Sequence, residues 1–74
     1  MDQEALEILK EAIETRLRSE SVERSIGRTV RRRGLDFSIY IGMMNDIRDF
    51  AGPRKLSLDD AAETLLDEEY QDRE

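Results

Sequence analysis

The chain has 74 residues, of which 38% are hydrophobic and 41% are charged, and its formal net charge is −6 at pH 7. It contains no Cys, no His and no Trp. These absences exclude thiolate and imidazole metal sites, thiol or histidine catalysis, and stabilisation by disulfide bonds. The length fits one domain. We expect it to be non-enzymatic, with no cofactor and no metal.

No small-molecule substrate is expected either, because a chain of 8.6 kDa has little volume for a ligand pocket of the usual size. The most apolar run, residues 39–44, is far shorter than the roughly 20 residues of a transmembrane helix. The acidic start Met1-Asp2-Gln3-Glu4 lacks the pattern of a signal peptide. We therefore expect a cytoplasmic protein that is not bound to a membrane.

The first predicted helix runs from Asp2 to Arg18. At 100° per residue, four apolar side chains fall within an arc of about 80° on it. They are Leu6, Leu9, Ile13 and Leu17. Such an arc is typical of an amphipathic helix that buries one face.

A second apolar face follows at Val22, Ile26 and Val30. On an unbroken helix it would lie roughly 180° from the first face. Either the helix breaks near residues 19–21, with Ser19 as the new N-cap, or one long helix serves two partners. We favour the break. Because the two faces diverge, we expect at least one to need a second chain, most simply in a symmetric homodimer.

This second helix has a clear predicted end. Arginines at 31–33 suit the negative end of the helix dipole, and Gly34 suits the left-handed position that follows.

Residues 35–51 alternate apolar and polar side chains for about seven residues, as a strand does, but keep a helical pattern for fifteen. We therefore predict a helix, with Asp36 as its N-cap and Gly52-Pro53 as its stop. One apolar face comprises Phe37, Tyr40, Ile41, Met44, Ile47 and Ala51, and a second strip comprises Ile39, Met43 and Phe50. A helix that is apolar around so much of its circumference is predicted to be the central one.

The last predicted helix begins after Ser57, which is expected to cap it. Its buried face comprises Leu58, Ala61, Ala62 and Leu65. The prediction is an all-α fold: a small bundle of three to four helices over residues 1–66, forming a homodimer. Residues 67–74 are predicted to be an acidic tail that frays.

Charge is distributed unevenly along the chain. Residues 1–15 carry five acids and one Lys, residues 16–33 carry seven Arg and two Glu, and residues 35–74 carry eleven acids and four bases. The candidate binding residues in the basic centre are Arg24, Arg28, Arg31, Arg32 and Arg33. Arginine suits phosphate and carboxylate groups, so this cluster predicts a nucleic-acid or acidic-partner site. The alternative is a solvated helix face, in which Glu20 pairs with Arg24.

The acidic tail contains a second candidate site, Glu68, Glu69 and Tyr70. An aromatic side chain in an acidic segment is able to anchor a partner protein, or to pack back on the last helix. We interpret the chain as a small protein–protein interaction module, such as an inhibitor, adaptor or antitoxin-like regulator, acting through charge-patterned helix faces. The alternatives are a nucleic-acid-binding regulator that uses the arginines and a structural subunit of a larger assembly.

Overall fold

The computed structural model describes residues 1–71 and consists of four helices. These are α1 (Gln3–Glu14), α2 (Val22–Arg32), α3 (Phe37–Arg54) and α4 (Leu58–Gln71). They form a compact bundle of 30 × 27 × 23 Å. The predicted all-α class is confirmed. Within residues 1–71, no helix is both long enough and apolar enough to cross a membrane.

The predicted break between the first two helices is present, but α1 is shorter than expected. It ends at Glu14 rather than Arg18, so a loop of residues 15–21 separates it from α2. Ser21, not Ser19, is the N-cap of α2, and its hydroxyl accepts a hydrogen bond from the Arg24 N–H at 3.3 Å. The loop takes Leu17 off the first helical face and leaves it 61% exposed.

The loop also removes the reason for expecting a second chain. Val22, Ile26 and Val30 pack in the same core as Ile8 and Leu9. The two predicted apolar faces diverge only on an unbroken helix, because the loop lets α2 turn its apolar face back onto α1. Both faces are thus covered within one chain.

Helix α3 is not the central helix. α2 and α4 each pack against all three other helices, whereas α3 packs mainly against these two. The inner side of α3 buries Met43, Met44 and Ile47, but Phe37 and Ile41 are 62% and 48% exposed. In this protein, a helix that is apolar around most of its circumference has one buried side and one apolar side exposed to solvent.

Helices α2 and α3 end in the same backbone motif. In each, a residue with left-handed φ follows the helix, Gly34 at 68° and Lys55 at 55°. The next leucine then donates its N–H to a carbonyl in the last turn, from Leu35 to Val30 at 3.1 Å and from Leu56 to Ala51 at 3.2 Å. Gly34 was predicted in this position. Pro53, which was predicted to stop α3, lies inside it. Proline there removes only one backbone hydrogen bond, and the helix ends instead at the left-handed residue Lys55.

The strained backbone at Lys55 leads to a stability prediction. A side chain with a Cβ costs about 1 kcal/mol in the left-handed region, and glycine avoids this cost. We expect Lys55→Gly to raise the free energy of unfolding by about that amount and Gly34→Ala to lower it by a similar amount. Urea unfolding of both variants checks this. An unchanged or less stable Lys55→Gly variant would contradict the assigned backbone conformation.

Two small polar side chains are buried between the helices. The Ser25 hydroxyl donates a hydrogen bond to the Ala12 carbonyl and so joins α2 to α1. The Thr29 hydroxyl is fully buried and has no hydrogen-bond partner among the described residues. A buried hydroxyl without a partner destabilises the fold.

This difference gives opposite expectations for two conservative changes. Thr29→Val is expected to raise the free energy of unfolding by about 1 kcal/mol, because it removes the unpaired hydroxyl and keeps the shape. Ser25→Ala is expected to lower it by about 1 kcal/mol, because the Ala12 carbonyl loses its donor. Thermal unfolding of both variants provides the measurement. Destabilisation by Thr29→Val would show that the hydroxyl has a partner.

Helix α4 begins as predicted and ends later than predicted. The Ser57 hydroxyl accepts a hydrogen bond from the Asp60 N–H at 3.1 Å, and Ala61, Ala62 and Leu65 are buried. The helix continues through residues 67–71, past the boundary predicted at residue 66. Residues 72–74 of the predicted tail lie outside the described residues.

Candidate interaction groove

The structure divides the five candidate arginines into two groups. Arg32 and Arg33, at the end of α2, both bind the Glu11 carboxylate of α1, at 2.6 and 3.0 Å. One carboxylate of the first helix is thus shared by both arginines in the C-terminal part of the basic cluster. These two arginines join α2 to α1, and they do not face the same surface opening as the rest of the cluster.

Arg28 also binds within the chain. Its guanidinium donates to the Glu20 carboxylate at 3.1 Å and to the Thr15 carbonyl at 2.9 Å. The side chain of Glu20 is only 8% exposed, and it also accepts the Leu17 N–H at 2.8 Å. Glu20 therefore pairs with Arg28 rather than with Arg24 as predicted, and together they hold the 15–21 loop that presents Leu17.

The same loop is also held by α4. The Asp59 carboxylate accepts a hydrogen bond from the Val22 N–H at 3.1 Å. Arg16 donates to the Glu63 carboxylate at 3.0 Å. Because both ends of the loop are tied to other elements, Leu17 is displayed from an ordered segment although it is exposed.

The ion pairs within the chain predict how its stability responds to acid. Hydrogen bonds from Arg33 and Arg32 lower the pKa of Glu11, and hydrogen bonds from Arg28 and the Leu17 N–H lower the pKa of Glu20. A carboxylate with a lower pKa in the folded state stabilises that state above its unfolded pKa. This stabilisation is lost as the pH falls through the folded pKa.

We therefore expect the free energy of unfolding to decrease as the pH falls below the ordinary pKa range of glutamate. Glu11→Gln should reduce this dependence of stability on pH. The matched control is Glu14→Gln, because Glu14 is exposed and has no ion pair within residues 1–71. Urea unfolding at neutral and acidic pH measures the effect. An identical acid dependence in the Glu11→Gln variant and the wild-type chain would contradict it.

The side chains of Arg18, Arg24 and Arg31 have neither a hydrogen bond nor an ion pair within residues 1–71. Arg24 and Arg31 were predicted site residues, and Arg18, in the loop, was not. Arg24 and Arg31 are seven residues apart on α2, which places them two turns, or about 10.5 Å, apart along the helix. All three line one surface groove.

The groove runs between α2, the 15–21 loop and the start of α3, and its volume is about 870 Å³. Its apolar lining includes Leu17 and Phe37, two of the three large apolar side chains that are strongly exposed within residues 1–71. Four arginines and two glutamates also line it, so its charge is positive although that of the chain is negative. The exposed start of α3 forms the second wall of this groove.

One wall of the groove is built from two aromatic rings. Phe37 and Tyr40 stack with their centroids 4.9 Å apart and their planes at 23°. The Tyr40 hydroxyl donates to the Glu23 carboxylate of α2 at 2.9 Å, and burial and this bond raise the pKa of Tyr40. The stack therefore fixes an exposed aromatic side chain beside a set of unpaired cations.

Sequence reasoning missed the apolar half of this site. Leu17 and Phe37 were predicted as core residues, since each continues the apolar periodicity of a helix. Phe37, however, is the first residue of α3, immediately after the Asp36 N-cap. A large apolar residue at the very end of a helical pattern is the one signal that pointed to exposure.

Two of the three tail candidates, Glu69 and Tyr70, are engaged within the chain, and none of the three lines the groove. Tyr70 is half-buried, with the Lys10 ammonium 5.2 Å from its ring centre. Glu69 lies 3.9 Å from the amino group of Met1, whereas Glu68 is exposed. Tyr70 therefore packs the end of α4 against α1, on another surface from the groove.

Within residues 1–71, no three acidic side chains come close enough to hold a metal ion. Comparisons with protein-family models, with curated proteins and with solved structures find no match to this chain. The groove and its chemistry therefore carry the functional interpretation alone.

Proposed function

We propose that this chain is a small, non-enzymatic protein–protein interaction module, such as an inhibitor, adaptor or antitoxin-like regulator, and that it binds a protein partner in the groove. The observation that carries the proposal is the position of Leu17 and Phe37, both exposed, beside Arg18, Arg24 and Arg31, which have no ion pair within residues 1–71. A partner with acidic and apolar side chains complements this surface.

The composition of the groove favours a protein partner. Aromatic and arginine side chains are enriched in the energetically dominant parts of protein interfaces, particularly where they are held in a fixed geometry. Phe37 is fixed by its stack on Tyr40, and Leu17 by the loop that Arg28 and Glu20 hold. Both side chains thus meet a partner at a low cost in conformational entropy.

The same surface is less suited to nucleic acid. Arg28 is paired with Glu20, Arg32 and Arg33 share the Glu11 carboxylate, and Glu23 stands among the remaining cations. The net charge of −6 also opposes the approach of a polyanion. These features support the protein-binding proposal over the nucleic-acid alternative.

Affinity capture from a lysate of the source organism tests the proposal when groove variants are included. The groove variant carries Arg24→Gln and Arg31→Gln. The control carries Arg48→Gln and Lys55→Gln, which remove the same charge from exposed residues outside the groove. We expect a stoichiometric protein that survives nuclease, is captured by the wild type and the control, and is lost with the groove variant.

Other results would redirect or reject the proposal. Loss of the captured material on nuclease treatment would favour the nucleic-acid alternative. Equal capture by the groove variant would place the interface elsewhere. Recovery of only the chain itself, with sedimentation showing Phe37-dependent self-association, would favour the predicted homodimer or a structural subunit instead of a binding module.

A further inference from the structure

We infer that the segment occupying the groove is an acidic amphipathic α-helix of the partner protein, which crosses α2 over Gly27. This inference rests on the proposed function and names the class of partner. Three features of the groove support it: the spacing of its free cations, the glycine between them, and its apolar walls.

The spacing of the cations matches a helix. Arg24 and Arg31 are two helical turns apart on α2. A second helix packed at the common shallow crossing angle of about 20° keeps nearly the same direction as α2. Acidic residues seven positions apart on that helix repeat the same axial separation, so each carboxylate meets one guanidinium.

Gly27 marks the crossing point. It lies midway between the two arginines, in the interior of α2, where glycine is an unfavourable residue. A Cβ at this position would lie 3.6 Å from the Tyr40 ring, which is an ordinary contact. The fold of the single chain therefore has room for a methyl group here, and its absence leaves α2 open to the close approach of another backbone.

The walls of the groove complete a helix-binding surface. Leu17 stands on the loop side and Phe37 on the α3 side, so apolar side chains flank the crossing point. An amphipathic helix offers an apolar stripe bordered by charged positions, and this pattern matches apolar walls bordered by arginines. An extended peptide would gain no backbone pairing here, because the elements that form the groove are helices and a loop.

A synthetic peptide of about four helical turns provides the probe. It carries glutamates seven positions apart with leucines between them on one face, and its control has the same composition in an order that removes this face. We expect the helical peptide to bind the full chain at least about tenfold more tightly in a fluorescence anisotropy titration. Circular dichroism of the mixture should show more helix than the sum of its components.

Gly27→Leu tests the crossing point itself. We expect it to weaken peptide binding by about tenfold or more, and a thermal melt of the free variant checks that it folds. Gly27→Ala provides a smaller obstacle should the leucine variant fail to fold, and it should weaken binding to a lesser extent. Arg24→Gln combined with Arg31→Gln should abolish the preference for the helical peptide.

Equal binding of the two peptides, no gain of helix, or an unaffected Gly27→Leu variant would each overturn the inference. Displacement of the peptide by a single-stranded oligonucleotide at lower concentration would overturn it in favour of nucleic acid. The proposed function would survive failure of the peptide test if the captured partner still required the groove arginines. If capture failed as well, both would be rejected.

Discussion

Replacing Ile26 with alanine is expected to lower the free energy of unfolding by about 2–5 kcal/mol, which is the range for truncating a large buried aliphatic residue. Ile26 is fully buried in α2, the helix that packs against α1, α3 and α4. A domain of this size retains only about 3–5 kcal/mol of stability from one core. The variant should therefore lose most of its free energy of unfolding at room temperature.

Ile41→Ala is the matched control, since it removes the same atoms from a side chain of α3 that is 48% exposed. We expect it to cost less than about 1 kcal/mol, because most of the removed surface already faces water. Chemical unfolding monitored by circular dichroism compares the two variants. Equal losses would mean that the bundle does not bury its second helix as described.

Replacing Phe37 with alanine is expected to have the largest effect on function. Truncating an aromatic anchor at the centre of an interface typically costs about 2 kcal/mol or more, which is roughly a thirtyfold loss of affinity. Phe37 is 62% exposed and contributes little to the core, so the free energy of unfolding should change by less than about 1 kcal/mol. Calorimetric titration with the captured partner measures the first quantity, and urea unfolding measures the second.

Ile41→Ala serves again as the control, because it lies one helical turn from Phe37 and outside the groove lining. We expect it to leave the affinity for the partner unchanged within about twofold. An effect of Ile41→Ala as large as that of Phe37→Ala would enlarge the interface beyond the groove. Full affinity of the Phe37→Ala variant would show that the aromatic wall of the groove does not contribute to binding.

The sequence predicts most of the local structure of this fold. Caps at Asp36 and Ser57, the left-handed Gly34 and the burial of Ala61, Ala62 and Leu65 in α4 are confirmed, whereas Leu58 is only half-buried. Each is a short-range property, in which one side chain or one φ angle acts within a single turn.

What the sequence does not predict depends on contacts between helices. The periodicity that places Leu17 and Phe37 in the core continues past the real ends of the helices, so it assigns two exposed residues to buried faces. The central position of α2 depends on the orientation that the 15–21 loop gives it relative to α1, and no local sequence pattern predicts this orientation.

The functional cluster was predicted in part for the same reason. All five predicted arginines lie on α2 or immediately after it, but only Arg24 and Arg31 lack ion pairs within residues 1–71. The other three arginines are paired because Glu20 and Glu11, which lie outside α2, contact them in the folded chain. Helical spacing therefore identifies the basic cluster, and only the packing of α1 and the loop determines which cations remain available to a partner.

Chemical-shift mapping of the isotope-labelled chain, titrated with the partner recovered by capture, tests the central claim most directly. We expect the largest backbone amide shifts at Leu17, Gly27, Arg31 and Phe37, with small shifts around Lys10 and Tyr70 on the other surface. The largest shifts at Lys10 and Tyr70, with the groove amides unchanged, would contradict the assignment of the groove as the binding surface.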